Sequence, residues 1–546
     1  MASHQKTSWL SRLCSSARRV KPIPSRDGGD NGSSSLVRRL GLFELILIGV
    51  GASIGAGIFV VTGTVAREAG PGVTISFLLA GASCVLNALC YAELSCRFPA
   101  VSGGAYLYTY SAFNEITAFL VFVQLMLDYH IGAASISRSL AGYIVTLLRL
   151  IPALKHSIPT WIGSGEEFFG GTISINVLAP VLLLLLTLVL CRGVGESSIV
   201  NSAMTVTKII IVIVVIFAGA FHVDVENWSP FAPHGFKPIL TGATVVFFSY
   251  VGFDAVANSA EESKKPQRDL PMGILGSLVI CIALYIGVCL VLTGMVPFGL
   301  LSEDAPLASA FTSKGMKFVT ILISVGAVAG LTTTLLVGLY VQSRLYLGIG
   351  RDGLLPPLFS KVNEKLRTPI HSQVWCGIVA GILAGLFNIH SLSHILSVGT
   401  LTGYSVVAAC VVALRLNDYK GASRWSEGIL CVVVVALSGF AAGAICRFDA
   451  SFFYLIIPGA VAIISCGMIC YRKAYGRSPG QGFRCPGVPV LPCLCIFFNM
   501  FLFAQLHFEA WVRFVAVSVV AAGVYALYGQ YHADPSSKSD CLDIDA

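Results

Sequence analysis

Gly51-Ala52-Ser53-Ile54-Gly55-Ala56-Gly57 lies midway along an apolar run from about Leu42 to Ala66. Such a run can span a bilayer, since about 20 apolar residues cross a hydrocarbon core of roughly 30 Å. Its centre is nonetheless rich in glycine, which costs a helix about 1 kcal/mol per residue relative to alanine. In lipid an interrupted helix survives only where the freed N–H and C=O groups face protein or a polar cavity. A spanning helix broken at mid-depth therefore predicts a binding site inside a helical bundle, the arrangement seen in secondary transporters.

The rest of the chain agrees. Only 12% of its 546 residues are charged, about half the usual fraction for a soluble protein. Continuous apolar runs such as Val177 to Leu190 lack the alternation a β-barrel needs. Fourteen apolar segments can be counted: 42–66, 73–97, 115–140, 175–191, 203–222, 239–258, 273–296, 317–345, 373–388, 394–416, 428–447, 452–471, 490–508 and 512–530. They predict an all-α polytopic membrane bundle of fourteen transmembrane helices. Residues 1–40 and 532–546 read as disordered polar tails. Arg38, Arg39, Arg97, Arg192, Lys264, Lys265, Arg351, Arg472 and Lys473 fall on one side of this topology, against Arg67, Arg149, Lys237 and Lys314 on the other. The bias puts both termini in the cytosol and accounts for the net charge of +8 without a nucleic-acid partner. No sorting signal is visible, and the reading leans to the vacuolar membrane over the plasma membrane.

The sixth segment answers the first. Phe247-Phe248-Ser249-Tyr250-Val251-Gly252-Phe253-Asp254 again sets polar residues and glycine at mid-span. An offset of five spans inverts the second occurrence relative to the first. The prediction is a transport core over 41–416, made of two inverted five-helix repeats (42–222 and 239–416), followed by four further helices over 417–531. A break opening each half marks a substrate site at the repeat interface. The restart of helix 1 near Gly57 offers unpaired N–H groups and partial positive charge, which suit a carboxylate. The end of the first half of helix 6, near Phe248 and Ser249, offers carbonyls and partial negative charge, which suit an ammonium. Together they fit the zwitterion of an α-amino acid.

Five stretches carry a resemblance: Gly49 to Phe59 (GVGASIGAGIF), Tyr91 to Pro99 (YAELSCRFP) with Ser102 to Tyr106 (SGGAY), Phe247 to Glu262 (FFSYVGFDAVANSAEE), Pro266 to Pro271 (PQRDLP) and Arg351 to Pro356 (RDGLLP). Cys485 to Asn499 adds a C-terminal match. Over about residues 36–531 the chain resembles the cationic amino acid transporters of the amino acid–polyamine–organocation superfamily, most closely plant members. The resemblance implies the broken-helix fold and amino acid transport by alternating access. By position, it implies that the backbone at Ser53, Ile54, Gly55, Ala56 and Gly57 meets the substrate carboxylate, that carbonyls of Phe248, Ser249 and Val251 meet the α-amino group, and that the Phe248 ring gates the site. Val123 and Gln124 stand where the family commonly has tryptophan and asparagine, which alters the side-chain pocket.

An ionisable residue inside a span is a functional hypothesis by default. Lys208 in helix 5 can alternate between charged and neutral forms. In proton-coupled relatives a lysine at this position replaces a sodium ion against helix 1, so the resemblance implies a proton as coupling ion. The alternative is a permanent brace on helix 1 carbonyls. Asp128 in helix 3 is expected to attract a cationic side chain or to pair with Lys208. Asp254 is expected to cap the restarted half of helix 6 or to touch the substrate. Glu93, Arg97, Glu261 and Glu262 read as gate salt bridges or solvated charges, and His130 as a satisfied polar residue.

No zinc-binding HExxH or GxxxxGK loop occurs, so no enzyme, cofactor or metal site is expected. Cys485, Cys493 and Cys495 lack the paired histidines that would favour a metal site. The expected partners are an amino acid, a proton and the lipid bilayer. Basic substrates (arginine, lysine, ornithine) rank first, with neutral amino acids or glutamine as the alternative and an amino acid sensor as the reading from another class.

Overall fold

The computed structural model describes residues 9–22, 36, 38–55, 57–98, 103–149, 159, 162, 166–168, 173–301, 306–387, 398–417, 422–448, 452–471, 482–506 and 508–533. Among them, ten helices are long and apolar enough to cross a membrane, and four shorter apolar helices complete the expected fourteen spans. Span 1 comprises Leu42–Ser53 and, after a π-turn at Gly57–Val61, Thr62–Ala69. Span 6 comprises Lys237–Phe247 and Phe253–Asn258, separated by a 3₁₀ turn at Phe248–Tyr250. The others are span 2 (Val73–Arg97), span 3 (Glu115–Arg149), span 4 (Leu178–Cys191), span 5 (Val194–Ala220), span 7 (Pro266–Met295), span 8 (Lys317–Arg351), span 9 (Ile370–Leu386), span 10 (Val398–Asn417), span 11 (Ala422–Arg447), span 12 (Ile456–Tyr471), span 13 (Val490–Gln505) and span 14 (Phe508–Val524, continuing to His532). A two-stranded antiparallel hairpin, Glu166–Phe168 with Ile173–Ile175, lies between spans 3 and 4 and is the one described departure from an all-helical fold.

The two broken spans are enclosed by the others. The first half of span 1 packs on spans 5, 7 and 8, and the second half of span 6 packs on spans 1, 2, 7 and 8. Span 10 lies against spans 2 and 3. It reaches span 3 through Gly399, where an added Cβ would sit 2.1 Å from the Gln124 carbonyl oxygen. The C-terminal helices attach in the same way. Gly439 and Gly443, four residues apart on span 11, press on the Phe497 and Phe501 carbonyls of span 13, a small-xxx-small contact that lets two backbones approach. Span 14 rests on span 3, and the exposed Ile456, Ile457, Ile463 and Ile464 of span 12 make an outward apolar face.

The Lys/Arg-rich end of the bundle is tied by ion pairs. Arg344 meets Glu262 at 2.7 Å, with the Tyr340 hydroxyl also donating to Glu262. Arg351 meets Glu261 at 3.0 Å. Glu93 pairs with Arg415 at 2.6 Å and accepts the Cys485 amide at 2.8 Å. Glu93, Glu261 and Glu262 are thus buried, paired groups rather than solvated ones. The expectation of a disordered N-terminal tail does not hold for residues 9–22. They form a helix at Trp9–Ala17 and then an extended stretch in which Arg19 pairs with Glu115, Lys21 pairs with Asp352, and the Lys21 amide donates to the Tyr110 carbonyl. Three polar contacts on one short stretch outweigh the entropy that its composition suggested would keep it free.

Candidate functional site

Breaking a helix in lipid frees carbonyls that must find donors. Span 1 stops because Ile54 is extended (φ −76°, ψ 93°), and its freed carbonyls are met by side chains from three other spans. Lys208 of span 5 donates to the Gly51 oxygen at 2.9 Å, the Ile54 oxygen at 2.7 Å and the Thr333 hydroxyl at 2.7 Å. Thr334 of span 8 donates to the Gly51 oxygen at 3.2 Å. The Tyr285 hydroxyl of span 7 lies 2.7 Å from both the Ser53 and the Ser249 carbonyl oxygens, sharing one proton between the two breaks. Thr62 donates to the Gly57 and Ile58 oxygens where span 1 resumes.

Two glycines let the breaks touch. Gly252 has φ +146°, a backbone region that favours glycine, and an added Cβ there would lie 2.6 Å from the Ala52 Cβ and 2.9 Å from the Ser53 nitrogen. At Gly57 an added Cβ would lie 2.3 Å from the Ser249 Cβ.

A cavity lies between the breaks. Of the residues expected to bind substrate, it is lined by Ser53, Gly57, Asp128, Phe248, Ser249, Val251 and Asp254. Ile54 and Gly55 do not line it. The Ile54 carbonyl turns back to Lys208, and Gly55 packs against Thr334, whose hydroxyl would lie 2.4 Å from a Cβ. Ala56 lies outside the described residues. Lys208 is fully buried and sits behind span 1, away from the cavity. Sequence reasoning missed Tyr129, Thr334 and Thr400 in the lining and Tyr285 behind it. Thr334 and Tyr285 are polar groups in apolar spans, a signal that was open to notice.

The charged residues differ from expectation. Asp128 does not pair with Lys208. One carboxylate oxygen meets Arg513 of span 14 at 2.5 Å, and the other accepts the Thr400 amide at 2.8 Å and the Thr400 hydroxyl at 3.2 Å. Gln124 is not in the pocket either. It donates to the Phe514 carbonyl and to Ser518, both on span 14. Asp254 accepts the Tyr129 hydroxyl and, at 3.3 Å, the Tyr404 hydroxyl. Asp254 lies in the first turn of the restarted half of span 6. No described basic side chain pairs with Asp254. The Ser249 hydroxyl, 1% exposed, has no hydrogen-bond partner among the described residues. His130 contacts the Tyr346 hydroxyl at 3.1 Å and stands outside the site.

Comparison with known proteins agrees with this geometry. Residues 40–470 match the amino acid permease family, and residues 483–533 match the model of that family's C-terminus. The chain is 73% identical to cationic amino acid transporter 9, chloroplastic, of Arabidopsis thaliana, covering 97% of this chain and 95% of that one. It is 42% identical to the methylthioribose transporter of Bacillus subtilis over 78% of this chain and 91% of the relative. It is 34% identical to the branched-chain amino acid permease BcaP of the same bacterium over 94% and 98%. These relatives are named as transporters and permeases, not enzymes. The expected vacuolar membrane is contradicted by the chloroplastic name of the 73% relative. With fourteen spans, two facing helix breaks and a family match over most of its length, the chain is an amino acid transporter belonging to the amino acid permease family, in its cationic amino acid transporter branch.

Proposed function

We propose that the chain moves basic amino acids by proton-coupled alternating access at a chloroplast membrane, around a site between two inverted five-span halves. The single observation that carries the substrate site is the cavity between the breaks, lined by Ser249, whose hydroxyl has no partner among the described residues. The backbone at Gly57 receives the substrate carboxylate. The carbonyl end of span 6 at Phe248, Ser249 and Val251 receives the ammonium, since Phe248 and Ser249 each keep a second lone pair beyond the bonds from the Val251 amide and the Tyr285 hydroxyl. Asp254 receives the basic side chain, being the lining carboxylate whose described side-chain partners are neutral hydroxyls. The compartment and the basic substrate are supported by the name of the 73% relative.

Lys208 couples the proton. As an ammonium it fills all three of its donor positions on span 1 and Thr333. Losing the proton removes a donor from the Gly51 or Ile54 carbonyl and loosens the break, so protonation and the conformation of span 1 are linked. The test is uptake of radiolabelled arginine, glutamine and leucine into proteoliposomes, with and without an inward proton gradient. Gradient-stimulated arginine uptake is expected. Uptake of leucine or glutamine without arginine overturns the basic substrate. Binding without flux favours a sensor.

One observation favours a second reading, neutral amino acids. Asp128, the residue expected to draw a basic side chain, is already neutralised by Arg513. The bacterial permease related over 94% of the chain is named for branched-chain amino acids.

A further inference from the structure

We propose that Arg513 is a specificity-determining residue: its guanidinium occupies Asp128 from outside the cavity and stands in for the cationic end of a substrate. The inference rests on the reading that the cavity takes an amino acid, and it concerns which side chains are accepted.

Asp128 belongs to two surfaces at once. It lines the cavity beside Thr400, and it lies on the face of span 3 that meets span 14. Gln124, one helical turn earlier, bonds Phe514 and Ser518, the same stretch of span 14 that carries Arg513. Residues four apart on a helix share a face, so Gln124 anchors span 14 where Arg513 can reach Asp128. The ion pair is 2.5 Å long, with side chains 8% and 3% exposed, out of reach of competing water. Arg513 and Thr400 together engage both carboxylate oxygens. A lysine or arginine substrate would have to displace a guanidinium already held, and parting a buried pair is strongly unfavourable. The cavity therefore presents one uncompensated carboxylate, Asp254, where its composition suggests two. This keeps neutral amino acids competitive with basic ones.

Four variants test this in proteoliposomes: Arg513→Met, Arg513→Lys, Asp128→Asn and the double Arg513→Met/Asp128→Asn. The readout is the ratio of KM for lysine to KM for leucine, by competition against whichever labelled amino acid the natural chain transports. Arg513→Met is expected to shift the ratio toward lysine by about tenfold, the scale of one hydrogen bond to a charged group. Arg513→Lys keeps the charge and keeps the ratio. The double variant, in which neither charge is left unpaired, returns the ratio to that of the natural chain. If Arg513→Met fails to elute as a folded species, the double variant decides: a ratio moved away from lysine overturns the proposal. So does an unmoved ratio in folded Arg513→Met, or loss of lysine with retention of leucine in Asp128→Asn, since Asp128 would then hold the substrate itself. A natural chain that transports leucine alone would refute the basic-substrate reading, yet lysine transport gained in Arg513→Met would still uphold the role of Arg513. If no variant binds or moves any amino acid, both fall together.

Discussion

The two helix breaks solve the same problem in opposite ways. In span 1 the freed carbonyls are claimed by Lys208, Thr334 and Tyr285, each from a different span. In span 6 the turn is closed by its own backbone, by Gly252 and by an acid at the restart, with Tyr285 of span 7 as a side-chain brace. The Ser249 hydroxyl is left unpartnered among the described residues, and Asp254 is met by the Tyr129 and Tyr404 hydroxyls. Both breaks share Tyr285, but only span 1 is also held by Lys208 and Thr334, and the polar side chains of span 6 are the ones left to meet a ligand. A braced break can be loosened by changing its brace, which is how a proton on Lys208 would reach the substrate site.

The contrast can be broken most completely at the contact between the two. Gly57→Leu puts a side chain where the Ser249 Cβ already lies at 2.3 Å. Uptake should fall by at least about 100-fold, as expected for about 3 kcal/mol of overpacking, while the protein still reaches the membrane. Near-normal uptake would mean the breaks do not meet there. Removing the brace comes next. Lys208→Ala leaves the Gly51 and Ile54 oxygens short of a donor, at about 1–3 kcal/mol each. Proton-stimulated uptake should disappear while exchange survives, and an unchanged response to the gradient removes the coupling role. Tyr285→Phe deletes the hydroxyl shared between the breaks, so a loss of about 1 kcal/mol in stability and up to about tenfold in uptake is expected. A thermal melt together with initial rates checks both. The smallest effect sharpens the comparison. Ser249→Ala removes a hydroxyl that braces nothing, so Tm should hold while KM rises about threefold, the lower range for one hydrogen bond. A lowered Tm with unchanged KM would make Ser249 structural.

Much of this was legible in the chain because the bilayer restricts what it can do. Apolar runs marked all fourteen spans, and glycine at mid-run marked both breaks, since no other reason to put Gly51, Gly55 and Gly57 in one helix is as strong. The partners of charged groups were not legible. Asp128 and Arg513 are 385 residues apart, and helical periodicity says nothing about which distant span lies alongside. Arg513 was nonetheless a charge inside an apolar segment, the same signal that singled out Lys208. The compartment was not legible either: the vacuolar reading is contradicted by the chloroplastic name of the 73% relative. The departure at Gln124 pointed at the pocket in sequence, whereas its side chain serves the seam with span 14.

The hook at Glu93 has a consequence for how the chain is made. A chain emerges from the ribosome from its N-terminus onward, so early spans exist before late ones. Glu93, on the second span, finds its guanidinium 322 residues later and its amide donor 392 residues later. For most of synthesis an early helix therefore carries a carboxylate whose partners do not yet exist. A chain that stops short of span 10 lacks both of them, and one that stops before residue 485 lacks the second. Completion of the C-terminal helices thus becomes a condition for burying a charge near the start.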